Sequence, residues 1–288
     1  MTMSGSAANA PAFVVAHRGA SAYAPEHTLD AYRLALAQRA DFVEQDLAVT
    51  KDGVLVCIHD LSLERTTNVE DLFPDRSVAD PAGGTARRWL VADFTLEEIK
   101  WLDAGSWFDQ KFAGARIPTF QEAIDLVRGK AGLYPELKDP AFYRGRGVAP
   151  EALLAASLEK NRLIADAATP VIIQSFDEVT IKQLSTTLPR VPRVWLVEPR
   201  DAARLDSAAK MREIAAWATG VAPNKAIVSA TPEVVSWAHQ AGLTVTLWTF
   251  RASSIGTFAS VRDEMSKFLY DYGADAVFTD NPDQFPRR

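Results

Sequence analysis

Phe42-Val43-Glu44-Gln45-Asp46-Leu47-Ala48-Val49 reads as a strand buried within a sheet that nonetheless carries two carboxylates. Side chains alternate along a strand, so Glu44 and Asp46 share one face and Gln45 points away. Two carboxylates between apolar flanks repel each other and lose hydration, a cost that a hard divalent cation offsets. The plainer alternative is a solvated acidic pair on a strand edge, and it sits poorly with the apolar residues on either side. Two nearby apolar runs end in complementary groups: Ala16-His17-Arg18-Gly19-Ala20 and Val56-Cys57-Ile58-His59-Asp60. As neighbouring strands of one parallel sheet, the three runs would bring two histidines, an arginine and carboxylates to a single rim. Metal-assisted cleavage of a phosphate ester needs those groups.

Outward from this stretch, strand-like and helix-like segments alternate. Strands are expected near Phe13-Ala16, Phe42-Val49, Val54-His59, Gly132-Glu136, Val171-Gln174, Arg193-Val197, Gly220-Ala222, Thr244-Thr249 and Ala276-Thr279. Helices are expected at Thr28-Gln38, Thr119-Val127, Pro150-Asn161, Asp177-Thr186, Ala208-Ala218, Pro232-Gln240 and Ser260-Tyr272. Thr28, Thr119, Asp177 and Thr231 stand where helix N-caps belong, and Pro150 and Pro232 suit a first turn. This rhythm predicts a parallel sheet with crossover helices, and roughly eight units favour an α/β fold of the closed (β/α)8 barrel kind. No G-x-G-x-x-G follows the first strand, so a dinucleotide site is not indicated. Residues 61–118 break the rhythm, with one helical segment around Thr95-Leu102, and read as a small inserted cap. The expected organisation is a flexible tail over 1–12 and one barrel domain over 13–288.

The chain has 288 residues, of which 48% are hydrophobic, enough for one large barrel core. A net charge of −6 without a Lys/Arg-rich run argues against nucleic acid as a partner. A negatively charged small molecule would need a local positive site. The single cysteine, Cys57, excludes an internal disulfide and reads as a buried small hydrophobe. No apolar run reaches the ~20 residues of a membrane-spanning helix. Met1 to Pro11 does not read as an intact signal peptide. The location is therefore cytoplasmic if the chain is full length and periplasmic if a leader has been removed, and the sequence leaves oligomeric state open.

Four histidines are present. His239, near a helix end, reads as structural, and His27 beside a helix start fits either role. His17 and His59 each close a strand-like run, and two imidazoles across a phosphate can serve as base and acid near neutral pH. Arg18 offers a planar fork for phosphoryl oxygens. Leu133-Tyr134-Pro135-Glu136-Leu137-Lys138 places Glu136 and Lys138 on one face, supplying a third carboxylate for the cation and an ammonium for the phosphate. Alone, that pair would more often be a surface ion pair. Asp60 fits a supporting role beside a histidine, and Arg65 fits either phosphate contact or loop structure.

These residues resemble the glycerophosphodiester phosphodiesterase family. The motifs are His17-Arg18-Gly19, Pro25-Glu26-His27-Thr28, Glu44-Gln45-Asp46, His59-Asp60 with Arg65-Thr66-Thr67, Ile117-Pro118-Thr119-Phe120, Pro135-Glu136-Leu137-Lys138 and Phe278-Thr279-Asp280-Asn281-Pro282. Their order is the family's and they cover nearly the whole chain from Phe13. The resemblance implies a (β/α)8 barrel with a small insertion, one cation, Ca2+ or Mg2+, held by Glu44, Asp46 and Glu136, an acid–base pair of His17 and His59, and phosphate binding by Arg18 and Lys138. It implies hydrolysis of glycerophosphocholine, glycerophosphoethanolamine and similar diesters to sn-glycerol 3-phosphate and an alcohol, through attack by the substrate's own glycerol hydroxyl and a cyclic phosphate. Phe73-Pro74-Asp75-Arg76 and Asp93-Phe94-Thr95-Leu96-Glu97-Glu98-Ile99-Lys100 look like the periplasmic bacterial type, which looks calcium-dependent and broad in its alcohol. His27 stands where the family usually has asparagine. Phe176 and Trp248, at expected strand ends, fit either an apolar wall for the glycerol or the core.

Two competing readings share the residues. Sphingomyelinase D and bacterial phosphatidylinositol phospholipase C are similar barrels with histidine pairs, and a lipid substrate would call on an aromatic rim such as Trp89, Trp101, Trp107 and Phe108. Those four equally suit a small core within the insertion. A barrel that binds a phosphodiester without turnover is the other, although such barrels usually lose a carboxylate or a histidine and this chain keeps all five.

Overall fold

Eight parallel strands close into a ring in the computed structural model, which describes residues 12–288. They are β1 (Phe13–Ala16), β2 (Phe42–Val49), β3 (Gly132–Leu137) and β4 (Ile173–Ser175), then β5 (Arg193–Val197), β6 (Gly220–Pro223), β7 (Thr244–Phe250) and β8 (Ala276–Thr279). Each strand pairs with the next. The ring shuts where β8 pairs with β1, Phe13 opposite Ala276 and Ala16 opposite Thr279. Helices cover the outside, giving the (β/α)8 barrel expected from the alternation. The tail expected over 1–12 lies outside the described residues apart from its last residue.

Local signals explain where most helices begin. Thr28 accepts from the Ala31 amide at the start of Leu29–Ala37, and Thr119 forms a reciprocal capping box with Glu122 ahead of Phe120–Val127. Two expected caps behave differently. Asp177 occupies the cap position before Glu178–Thr187, but its carboxylate is drawn to Arg144 and Thr180 instead of a helix amide. Thr231 lies one residue early, and Pro232 takes the cap position of Glu233–Gln240. Three helices went unforeseen, Val69–Leu72, Pro140–Gly145 and Lys225–Ala230, because four to six residues are too few to show a helical period.

One expectation fails in an instructive way. Leu55–Cys57 is not a barrel strand but runs antiparallel to β2, with Leu47 opposite Cys57 and Val49 opposite Leu55. Only five residues, 50–54, separate the two, which permits a hairpin and forbids a parallel crossover. Gly53 turns the chain at φ +80°, and its amide donates to the Thr50 carbonyl. The chain therefore rises along β2, folds over and comes back down, and the Ile58 amide donates to the Asp46 carbonyl at 2.9 Å. His59 follows Ile58 on this return leg and lines the same cavity as Asp46.

The barrel interior is filled by Val15, Tyr134, Val194, Leu196, Ala222 and Phe278. Outside the strands the apolar layer divides in two. One part lies over β1–β4 and extends into the 61–118 stretch through Leu63, Val69, Trp89, Phe94, Ile99 and Leu102. The other covers β5–β8 with Met211, Val228, Val235, Met265 and Phe268. Within 61–118 the Trp89 indole N–H donates to the Phe73 carbonyl, Trp101 stacks on Phe73 at 6.1 Å and is 55% exposed, and Trp107 meets Phe108 edge-on. Among the described residues no helix is long and apolar enough to cross a membrane.

Candidate active site

The C-terminal ends of the strands surround a cavity of about 300 Å³. Active sites of this barrel type gather at this end, where loops from several strands converge. His17, Arg18, Glu44, Asp46, His59, Glu136, Lys138, Phe176 and Trp248 all line the cavity, so the structure brings together every residue singled out for the site.

β1 hands its chain directly to a strained turn. Arg18 stands at φ +57° and Gly19 at φ +87°. A Cβ on Gly19 would lie 2.8 Å from the Ala31 backbone, so glycine is required where this turn packs on its helix. The turn points the Arg18 amide at Glu44, 2.9 Å from Oε2, while its guanidinium lies 3.6 Å from Asp46 and 3.0 Å from Glu26.

Glu44, Asp46 and Glu136 each offer an oxygen, all within 4.8 Å of one another, and all three are buried. Pairing of β2 with β3 sets Asp46 directly opposite Glu136. The Gln174 side-chain amide donates to Glu44 at 2.8 Å, and Asp46 Oδ1 is buried without a hydrogen-bond partner. Burial, together with the charges of Asp46 and Glu136, pushes the Glu44 carboxyl well above the usual range. Burial also raises Glu136, to about 8, although Lys138 at 2.9 Å opposes it. Burial pushes Asp46 the same way, but Lys138 and His27 outweigh it and hold its carboxyl well below the ordinary value. Two protonatable carboxyls, one anionic carboxylate and an unpartnered oxygen make an oxygen-rich cluster fit for a hard divalent cation.

Each of the two cavity histidines has a carboxylate at Nδ1. His17 Nδ1 lies 2.6 Å from Asp280 Oδ1, and Arg251 donates to the other Asp280 oxygen at 2.7 Å. Burial, reinforced by Arg18, lowers the His17 pKa to about 4 against the pull of Asp280. Its Nε2 is 3.8 Å from Glu44. His59 Nδ1 lies 2.5 Å from Asp60 in a more open position. Arg65 lies in the 61–118 stretch and is fully committed there. Its Nε donates to Asp60 at 2.5 Å, and its two terminal nitrogens donate to Glu26 at 2.7 and 3.1 Å. A continuous chain His59–Asp60–Arg65–Glu26–Arg18 results.

The opposite wall is apolar and aromatic. Phe176 and Trp248 meet edge-to-face at 5.5 Å, with Leu196 and Phe278 beside them. The Trp248 indole donates to the Ala222 carbonyl at 2.7 Å, and Lys138 Nζ lies 5.7 Å from the Phe176 ring. Asn224, Lys225, Arg251 and Ser254 complete this side.

Sequence reasoning missed several contributors. Asp280 directly follows β8, and position at the C-terminal end of a barrel strand was a usable signal. Glu26 stood in the Pro25-Glu26-His27-Thr28 motif without a role of its own, and Gln174, Lys225 and Arg251 left no signal, because their partners lie 29 to 130 residues away. His239, read as structural, pairs with Asp275 at 2.9 Å away from the cavity.

The family model for the glycerophosphoryl diester phosphodiesterase family matches residues 17–284. A glycerophosphodiester phosphodiesterase of Bacillus subtilis is 36% identical over 94% of this chain and 84% of its own length. One from Treponema pallidum is 30% identical over 94% of this chain and 89% of its own. Among solved structures, an Oleispira antarctica phosphodiesterase in complex with the product sn-glycerol-3-phosphate aligns with a TM-score of 0.73 and 29% identity, covering 95% of each chain. A glycerophosphodiester phosphodiesterase from Agrobacterium tumefaciens aligns at 0.70 and 29%, covering 96% of this chain and 99% of that one.

Proposed function

The chain belongs to the glycerophosphoryl diester phosphodiesterase family, and from that premise we propose that it uses His17 and His59 to hydrolyse glycerophosphodiesters, such as glycerophosphocholine and glycerophosphoethanolamine, to sn-glycerol 3-phosphate and an alcohol. One observation carries the proposal. A single cavity unites three buried carboxylates within 4.8 Å of one another, two histidines backed by carboxylates, and the cations Arg18 and Lys138.

Glu44, Asp46 and Glu136 hold the divalent cation, Ca2+ or Mg2+, which when bound supplies Lewis-acid stabilisation of charge on phosphoryl oxygens. Arg18 and Lys138 orient the phosphate from either side of that cluster. His17 is the base. With its pKa at about 4 it is neutral near pH 7, and with Asp280 holding Nδ1–H, the Nε2 lone pair is free to take a proton from the glycerol hydroxyl. The oxygen then attacks phosphorus, the bond to the alcohol breaks, and His59 protonates the departing oxygen. Asp60 at Nδ1 holds the ring so that Nε2 can face the departing oxygen. Water opens the cyclic phosphate with the two roles exchanged, leaving glycerol 3-phosphate. Phe176 and Trp248 form the apolar wall against the glycerol carbons.

The test is release of glycerol 3-phosphate from glycerophosphocholine by purified protein stripped with EDTA, then supplied with Ca2+ or Mg2+. Hydrolysis restored by one cation supports the proposal and names the metal. Folded protein that stays silent with both, and with glycerophosphoethanolamine, overturns it.

A further inference from the structure

We propose that His27 is a positioning residue that locks Asp46 in place as a cation ligand, an inference that rests on the divalent-cation reading above. The His27 ring is only 3% exposed, and both of its nitrogens are engaged. Nε2 lies 2.8 Å from Asp46 Oδ2, and Nδ1 lies 2.8 Å from the hydroxyl of Tyr32, itself fully buried. The directions of these bonds follow from the donors available. A carboxylate only accepts, so Nε2 carries the hydrogen that faces Asp46, and the Tyr32 hydroxyl donates to the Nδ1 lone pair. Tyr32 therefore sets the tautomer, and the tautomer sets the contact with Asp46.

The two oxygens of Asp46 are thereby made unequal. Oδ2 is held by His27, while Oδ1 is buried with no partner and remains for a cation. Holding one oxygen of a ligating carboxylate fixes its rotamer before the ion arrives, which removes an ordering cost from binding. The His27 amide also donates to the Arg18 carbonyl at 3.1 Å, and its backbone sits at φ +51°. One residue thus ties the turn that presents Arg18 to the strand that presents Asp46. A purely structural histidine in the core would support the loop without biasing the affinity of the cluster for an ion.

The experiment is isothermal titration of EDTA-stripped full-length protein with CaCl2 and with MgCl2, alongside thermal melts of the metal-free samples. His27→Leu removes the donor and is expected to weaken cation binding about 10- to 100-fold. His27→Gln restores a donor of similar reach and recovers most of that loss. Tyr32→Phe, which frees the tautomer, weakens binding about 3- to 10-fold with histidine still in place. Wild-type affinity in His27→Leu overturns the inference, even if the melt falls. Should His27→Leu fail to fold, wild-type affinity in Tyr32→Phe overturns it in its place. Absence of cation binding by the wild-type protein would bring down the cation reading itself, an outcome distinct from variants that bind as wild type does.

Discussion

The rim of the barrel differs sharply between its two halves. Around β1, β2, β3 and the return leg, the cavity wall is almost wholly ionisable: His17, Arg18, Glu44, Asp46, His59, Glu136 and Lys138. Around β4 to β8 it is mostly apolar or neutral, with Phe176, Leu196, Asn224, Trp248 and Phe278. The charges in that second half are already matched, Lys225 to the buried Glu264 and Arg251 to Asp280. In the first half three carboxylates crowd together, two of them forced above their ordinary pKa. One side is electrostatically incomplete without a ligand and the other is self-satisfied. The difference teaches that chemistry and grip are assigned to separate arcs of one ring, and that the outer apolar layer divides along nearly the same line.

That division breaks first if the two arcs respond alike to mutation. His17→Ala should lower kcat about 10²- to 10⁴-fold while leaving cation affinity unchanged, as steady-state kinetics and calorimetry would show. A His17→Ala enzyme with most of its turnover would remove the base from the charged arc.

The next largest effect concerns stability. Burial raises the Glu26 carboxyl, but Arg65 and Arg18 outweigh it and hold the pKa at about 2, against an ordinary 4.5. The folded state therefore binds this proton less readily than the unfolded chain. Its contribution is present above about 4.5 and is lost as pH falls toward about 2. A shift of this size corresponds to roughly 3 kcal/mol at neutral pH. Glu26→Gln should be less stable by about that amount near pH 7, with the gap to wild type closing on acidification. Urea unfolding at a series of pH values measures it, and a gap independent of pH would show that Glu26 anchors the charged arc by shape alone.

How far the molecule could be read in advance follows the same divide. β1, β2, β5 and β8 have the expected bounds, because apolar runs between turn signals leave little choice of register. The charged arc was legible too, since Glu44 and Asp46, like Glu136 and Lys138, lie two apart on a strand and share a face as local geometry requires. The return leg was not. The Val54-His59 run has the composition of a strand, and composition carries no direction, which five intervening residues and Gly53 decided. His59 was placed at the right rim on the wrong assumption of a parallel strand. Asp280 stood in a motif without a role, because its partner His17 lies 263 residues away and meets it only once β8 closes against β1, and Arg251 gave no signal of its own. The 61–118 stretch was seen as an interruption, but not that Arg65 within it would join Asp60 to Glu26.

Arg65 offers a finer cut within the charged arc. It faces no reacting group, and its three donors go to Asp60 and Glu26. Exposed ion-paired bonds of this type contribute about 0.2–1 kcal/mol each, part of which here fixes His59 and Arg18. Arg65→Gln should lower kcat about 10- to 100-fold with KM little changed, and Arg65→Lys should recover only part, since an ammonium cannot bridge two carboxylates as a fork does. A rise in KM alone would move Arg65 from positioning the acid–base machinery to gripping substrate.

The smallest effect tests the apolar arc. Trp248 packs edge-to-face on Phe176 and is held by its indole bond to Ala222. Neither ring can move a proton or carry charge, so any contribution is surface removed from water, about 1–3 kcal/mol for a side chain against an apolar group. Trp248→Phe should be mild, whereas Trp248→Ala should raise KM roughly tenfold with kcat near wild type, because contact with glycerol carbons is made equally before and during the reaction. Phe176→Ala should behave the same way with one addition. The Lys138 ammonium lies over that ring, so loss of Phe176 should also loosen a phosphate-binding cation and cost a little kcat. A kcat loss for Trp248→Ala as large as that for His17→Ala would mean that the two arcs are not separable. A pure KM effect there, beside a mixed effect at Phe176, would place the boundary between chemistry and grip at the Lys138–Phe176 contact.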